Sequence, residues 1–215
     1  MNKSNLVGRA AVLAAALVFV ALASACAPPP TGGGGQQDPP PQSTVDQTFL
    51  ASSLNPGAPV VQYCTADGSG FRWRVAQTFT AGRSGSLDMV SLTPKRVSGA
   101  PSALSLSIRP VDATGVPNST VLGTGTFDGT INPGPALTDM ALSSPATVVA
   151  GTKYALVVEQ TCATAGPDGG WALFGQNAGY AGGSVWERAV HPTLSTAWFE
   201  PTGIVSDLNF ATWVA

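Results

Sequence analysis

Leu104-Ser105-Leu106-Ser107-Ile108-Arg109 decides the fold class of this chain, because apolar and polar residues alternate along it without interruption. Successive side chains of a β-strand point to opposite faces, so the pattern predicts a strand with one buried and one solvated face. Tyr154–Val158 is apolar at every position and predicts a central strand covered on both sides. Both segments favour a β-sheet protein.

The spacing of glycine and proline extends this prediction to the whole domain. From Thr44 onward, no stretch without Gly or Pro exceeds 14 residues, so ordinary helices have little room. The segments between these breakers are rich in Val, Thr, Leu and aromatic residues, as strands are. Further candidate strands are Val75–Thr80, Leu87–Thr93, Val121–Phe127, Leu137–Leu142, Trp171–Phe174 and one that begins at Leu208. We expect an all-β domain over residues 44–215, a single jelly-roll-like antiparallel β-sandwich.

The N-terminus has the layout of an export signal. Lys3 and Arg9 precede the apolar run Ala10–Ala23, and small residues lead from it into Cys26. The segment Leu22-Ala23-Ser24-Ala25-Cys26 resembles the bacterial lipobox, although such a box usually has Leu where Ala23 stands. The resemblance implies a signal peptide over residues 1–25 and a lipidated Cys26. The alternative is an ordinary signal peptide that leaves Cys26 free.

Residues 26–43 read as a lipidated cysteine and a linker. Two proline triplets flank four glycines, and nothing in the segment can bury apolar surface, so we expect a disordered Pro/Gly tether. Seventeen residues in polyproline geometry reach roughly 50 Å. The predicted protein is therefore exported and anchored in a membrane by its N-terminal lipid, at the cell envelope or surface.

Charge narrows the range of partners. Eight basic and twelve acidic residues follow Cys26, which gives a formal net charge of −4. The sequence shows no Lys/Arg cluster on this weakly acidic background, which argues against a nucleic-acid partner.

Cys64 and Cys162 remain once Cys26 is assigned to lipid. In an exported chain such a pair most simply forms one disulfide; two free thiols or a metal pair are the alternatives. A zinc site wants about four ligands and the chain has a single histidine, His191, so we predict no metal centre and no cofactor.

Similar sequences surround the two cysteines. In each, an Asp-Gly pair follows the cysteine and a tryptophan stands nine positions after it: Asp67 and Trp73 after Cys64, Asp168 and Trp171 after Cys162. One interpretation is a site at one end of the sandwich, with Asp67 and Asp168 as polar or structural calcium ligands. The interpretation we favour is two hairpin turns, because Asp-Gly is a common hairpin turn, with the tryptophans packed on the disulfide.

Catalytic signatures are absent from the sequence. It has no Gly-x-Ser-x-Gly, His-Glu-x-x-His or phosphate-loop motif, and His191 stands before a proline in a predicted loop. Glu159 is the one acid that could be partly buried, although a strand-end residue facing water is the simpler interpretation. We therefore predict that the protein is not an enzyme, with a glycan hydrolase as a remote alternative.

The C-terminal third concentrates aromatic residues among turn residues. Trp171, Tyr180, Trp186 and Trp198 are the candidate ligand-binding residues, because exposed aromatic rings suit the C–H faces of sugars. The same rings also suit a small domain that covers its core with loops, and we favour this structural role because large aromatic residues dominate core burial.

Several motifs together resemble a group of bacterial surface β-sandwich modules called choice-of-anchor domains. The similar segments are Gln77–Thr80 with Leu87, Val90 and Leu92, then Leu104–Arg109, Val116–Leu122, Leu142–Pro145, Val149–Val157, Tyr180–Ser184 with Trp198, and Asp207–Phe210. The resemblance implies a jelly-roll-like module displayed outside the cell, without catalytic residues and without a defined ligand. The lipid anchor and the Cys64/Cys162 pair depart from that pattern.

Two functions remain open at this point. The first is a non-catalytic surface module that binds glycan or another extracellular ligand. The second is a structural envelope lipoprotein that acts through contacts with other envelope proteins.

Overall fold

Every regular element in the described part of the chain is a β-strand, so the all-β class expected from the sequence is confirmed. The computed structural model describes residues 42–50, 60–63, 72–98, 103–127, 137–160, 170–177, 179–190, 196–201 and 206–215. These residues belong to one compact unit.

Fourteen strands follow one another along these ranges. They are β1 (Thr44–Phe49), β2 (Val60–Tyr63), β3 (Arg72–Thr80), β4 (Gly85–Leu92), β5 (Pro94–Ser98), β6 (Leu104–Pro110), β7 (Gly123–Phe127), β8 (Thr138–Val148), β9 (Lys153–Gln160), β10 (Gly170–Leu173), β11 (Gly175–Gln176), β12 (Val185–Val190), β13 (Asp207–Leu208) and β14 (Phe210–Val214).

Nine of the strands form one antiparallel sheet in the order β1-β14-β4-β8-β7-β6-β9-β3-β12. The sheet curls so that its two ends face each other: the ring centroids of Phe79 on β3 and Phe210 on β14 are 6.4 Å apart. Smaller sheets, β2-β10-β5 and β11-β13, complete the described fold.

Strand β8 forms the corner between the two halves. Thr138–Ala141 and Ala146–Val148 pair with β4, whereas Leu142 and Ser144 pair with β7 on the other side. Pro145 lies where the pairing with β4 is interrupted, and proline has no N–H to donate to a ladder. The predicted strand over residues 137–142 is therefore only the first half of a longer, bent one.

The core lies between the two facing halves. On β6, Leu104, Leu106 and Ile108 are buried in it, whereas the residues between them point to the outer side, as the alternation predicts. Residues 154–158 of β9 are buried at every position, so the prediction of a doubly covered strand is confirmed. Other side chains must therefore cover the outer side of β9.

The segment around Trp186 differs from expectation. We placed Tyr180–Trp186 among turn residues, but the structure puts Trp186 in β12, paired with β3 over six residues. Val185 enters the core and Trp186 faces outward, as in a strand. The glycines just before Ser184 made the segment look like a turn in the sequence.

Candidate functional site

The outer side of β12, β3, β9 and β6 carries the candidate site, named here the Trp186 face. The strand register places outward residues in rows across the four strands. One row is Trp186, Ala76, Val157 and Ser107; the row beside it is Arg188, Arg74, Glu159 and Ser105. With strands about 4.8 Å apart, each row spans roughly 14 Å.

Small residues form the floor of this face. Ala76, Ala155 and Val157 are at most 1 % exposed although they point away from the main core. Trp186, Trp198 and Val111 pack against them and remain partly exposed themselves. Two of the four aromatic residues singled out in the sequence, Trp186 and Trp198, therefore meet on one surface.

The Trp198 ring reaches this face from a segment that runs beside β12. The backbone groups of Glu187 and Phe199 exchange two hydrogen bonds of 2.8 and 2.9 Å, which extends the sheet by one short edge. Successive residues of extended chain point to opposite sides. Trp198 therefore packs on the floor, whereas Phe199 turns away and meets Trp73, with ring centroids 6.2 Å apart.

The start of β12 is fixed by a tight turn. The Gly183 N–H donates to the Tyr180 carbonyl at 3.2 Å. A Cβ on Gly183 would overlap the backbone carbonyl of Thr78, so only glycine fits there. Next to it, the Ser184 N–H donates to Thr78 Oγ1 at 2.8 Å, which holds β12 against β3 immediately before Trp186.

Arginines surround the floor. Arg74 Nε donates to Glu159 Oε2 at 2.6 Å, with both side chains largely buried. Arg188 stands directly opposite Arg74 on the neighbouring strand. Arg109 Nε donates to Ser107 Oγ at 3.0 Å and lies beyond the floor on β6.

These charges interact with one another. Burial is the main cause that lowers the pKa of Arg109; repulsion from Arg74 and Arg188 lowers it further, and attraction to Glu159 opposes the shift. The guanidinium groups therefore form one electrostatic cluster around the floor. This cluster cannot be seen in the linear sequence, because the fold brings together arginines that are more than 30 residues apart.

Trp186 also contributes an unsatisfied donor. Its indole Nε1 is buried and has no hydrogen-bond partner among the described residues. A buried tryptophan N–H usually finds a partner, and leaving it unpaired costs about 1–3 kcal/mol.

Trp171 corrects one of the sequence-based assignments. It is fully buried on β10, with its ring centroid 5.5 Å from that of Phe127, so it cannot stack on a surface ligand. Its environment matches the structural role that we favoured from the sequence. β10 contributes both Trp171 and Leu173 to the main core cluster.

Tyr180 also lies apart from the Trp186 face. Its ring packs on the core near Phe49 and Phe210, and its hydroxyl donates to Gln47 Oε1 at 2.9 Å. Burial raises the pKa of this hydroxyl above its ordinary value. Tyr180 therefore joins the turn before β12 to β1 and does not lie beside Trp186 and Trp198.

A buried acid that sequence reasoning missed lies beside Tyr180. Asp207 accepts hydrogen bonds from Gln77 Nε2 at 2.9 Å and from the Tyr180 N–H at 2.8 Å. Burial raises its pKa despite these bonds. Because Gln77 Oε1 also accepts from the Leu208 N–H at 2.6 Å, this network ties the C-terminal strands to β3.

The remaining predicted site residues, Cys26, Cys64, Cys162, Asp67 and Asp168, lie outside the described residues, as do His191, the signal peptide and all but the last two residues of the tether. Within the described ranges, no group of three or more His, Cys, Asp or Glu side chains could hold a metal ion. Nor do those ranges contain a helix long and apolar enough to cross a bilayer.

Comparison of the chain with protein-family models, with curated proteins and with solved structures finds no match in any of the three.

Proposed function

We propose that the β-domain is a non-catalytic module that binds glycans through the Trp186 face and is held at the cell envelope by a lipid on Cys26. One observation carries the binding proposal: Trp186 and Trp198 lie together over a floor of small residues, with charged and hydroxyl side chains around them. The resemblance of the sequence motifs to choice-of-anchor domains, which are displayed outside the cell, supports the proposed location at the cell envelope.

The chemistry of this face suits a sugar. A pyranose ring offers a C–H face that packs on aromatic rings and hydroxyl groups that need polar partners around its edge. The arginines supply donors, and Thr124 and Thr126 add outward hydroxyls on β7. Thr124 and Thr126 are exposed to solvent.

The floor explains how a shallow site can exist on a sheet. Large residues at Ala76, Ala155 and Val157 would raise the surface and displace the tryptophans. Small ones let the two indole rings lie close to the backbone on a rigid, hydrogen-bonded platform. A site built on strands holds its geometry better than one built on loops.

A matched pair of variants tests the binding proposal. We expect Trp198→Ala to weaken binding of a glycan found by array screening roughly tenfold, which corresponds to about 1.4 kcal/mol of lost ring contact. Phe199→Ala is the control. Phe199 is the next residue along the chain and is 41 % exposed, but its ring points to the opposite side of the sheet, where it meets Trp73. Isothermal titration measures both.

Three results would change this account. Equal loss from both variants would remove Trp198 from the site. No binding to any glycan, together with capture of a defined envelope protein, would favour the structural alternative. Cleavage of a bound glycan would replace a binding module with a hydrolase.

The anchor has its own test. We expect the wild-type protein to partition into detergent and its Cys26→Ser variant to be released into the aqueous phase, because two acyl chains hold a protein stably. Thiol labelling before and after reduction checks the proposed Cys64–Cys162 disulfide. Aqueous partitioning of the wild type would contradict lipidation.

A further inference from the structure

We propose that the ligand of the Trp186 face is an anionic glycan, a polysaccharide that carries carboxylate, sulfate or phosphate groups. This inference rests on the proposed glycan-binding function and adds the class of sugar. The chemistry of the face, beyond its aromatic pair, is what points to charge on the ligand.

The distribution of charge is the first step. Among the basic residues whose side chains the structure describes, four point outward on this one face: Arg74, Arg109, Lys153 and Arg188. Two described acids accompany them, Glu159 within the face and Glu200 at its margin, where it accepts a hydrogen bond from Ser184 Oγ. The face is therefore positive on a domain whose overall charge is negative.

The register of the arginines is the second step. Arg188 and Arg74 occupy directly opposed positions on adjacent strands, where like charges destabilise a sheet. Arg74 Nε pairs with Glu159 Oε2 on its other side. An anionic group bound over the floor would be attracted to both arginines at once.

The chemistry of arginine is the third step. A guanidinium presents its donors in a planar fork that matches carboxylate, sulfate and phosphate oxygens, and such charge-assisted bonds are stronger than those to neutral hydroxyls. Arg74 and Arg188 lie on one side of the floor and Arg109 on the other. A sugar stacked near Trp186 would therefore have cationic donors at both of its edges.

Polygalacturonate, dextran sulfate and neutral dextran distinguish the ligand classes in a titration at low ionic strength. We expect the two charged polymers to bind, dextran to bind at least tenfold more weakly, and the affinity of the charged polymers to fall as salt shortens the Debye length from about 10 Å at 0.1 M to about 3 Å at 1 M. Preference between polygalacturonate and dextran sulfate identifies the anionic group, and either supports the inference.

Two variants locate the binding. Arg188→Gln should weaken polygalacturonate binding roughly tenfold, since it removes a charge-assisted contact. Arg83→Gln makes the same charge change in the turn between β3 and β4, where Arg83 is exposed, and should leave the affinity within about twofold. Lys153→Gln, also at an exposed position, gives a second test on the face itself.

The failures are distinguishable. Equal binding of dextran and polygalacturonate, unaffected by Arg188→Gln, would overturn the anionic ligand and leave glycan binding intact. Equal binding of poly-glutamate or a thymidine oligonucleotide would overturn it in favour of a general polyanion site. Absence of binding to every polymer would overturn both this inference and the proposed function.

Discussion

Two outer surfaces of the same curled sheet each carry a partly exposed tryptophan. They differ in whether the indole N–H of that tryptophan is hydrogen-bonded. On the surface formed by β14, β4 and β8, named here the Trp213 face, Trp213 Nε1 donates to Ser91 Oγ at 2.9 Å. Ser91 in turn donates to Asp139 Oδ1 at 2.6 Å. On the Trp186 face, the indole Nε1 of Trp186 has no partner among the described residues.

The surroundings differ in the same sense. The chain from Trp213 through Ser91 to Asp139 is a closed network, in which each donor finds an acceptor supplied by the protein itself. The Trp186 face instead gathers a second tryptophan and clustered arginines, and the buried Nε1 of Trp186 has no acceptor among the described residues. The two surfaces therefore differ in charge and aromatic content as well as in the bonding of the indole N–H.

The largest expected difference comes from truncating the two tryptophans. Trp186→Ala and Trp213→Ala should each cost about 1–3 kcal/mol in free energy of unfolding, because both lose partly buried ring area. Only Trp186→Ala should weaken glycan binding, by about tenfold or more. Denaturant unfolding and calorimetric titration measure the two quantities. Equal loss of affinity in both variants would erase the distinction between the faces.

Glu159→Gln should move stability and affinity in opposite directions. The variant breaks the 2.6 Å ion pair with Arg74 and should lower the free energy of unfolding by about 1–2 kcal/mol. It also removes a negative charge from the Trp186 face, so polygalacturonate should bind more tightly. Weaker binding would show that Glu159 itself contacts the ligand.

Ser91→Ala tests the closed network on the Trp213 face. It removes the acceptor of the Trp213 indole and the donor to Asp139, and should cost about 1 kcal/mol in stability. Glycan affinity should not change. A variant as stable as the wild type would mean that water replaces these bonds and that the satisfied donor does not distinguish this face.

Glu187→Gln should have the smallest effect and depends on pH. Burial raises the pKa of Glu187, which lies on the opposite side of β12 from Trp186. Below the ordinary glutamate pKa the carboxyl is protonated in both states, so the variant and the wild type should be equally stable. As pH rises through the folded-state pKa, the wild type loses stability and the variant does not. Urea unfolding at pH 3.5 and pH 7 checks this; a difference at the lower pH alone would contradict it.

The sequence predicted the strands well where one periodicity dominated. Alternation in Leu104–Arg109 and the apolar run at Tyr154–Val158 gave the correct burial of β6 and β9. It failed at β12, because Trp186, Glu187 and Arg188 show no alternation that distinguishes a strand from a loop. Pairing with β3 supplies the information that the local sequence lacks.

The candidate site was only half predictable for the same reason. Trp186 and Trp198 could be singled out as aromatic residues, but Trp171 has the same chemistry and lies in the core. The sequence could not reveal the arginine cluster of Arg74, Arg109 and Arg188. These residues become neighbours only because the sheet places β12, β3, β9 and β6 side by side. One signal was available: outward Ala155 and Val157 on a doubly apolar strand implied that something covers that side.

The most direct test of the distinction between the two faces is an NMR titration that follows the indole N–H signals of the five tryptophans as polygalacturonate is added. We expect the signals of Trp186 and Trp198 to shift with one common affinity, whereas those of Trp171 and Trp213 stay in place. Shifts at Trp213 without shifts at Trp186 and Trp198 would contradict it.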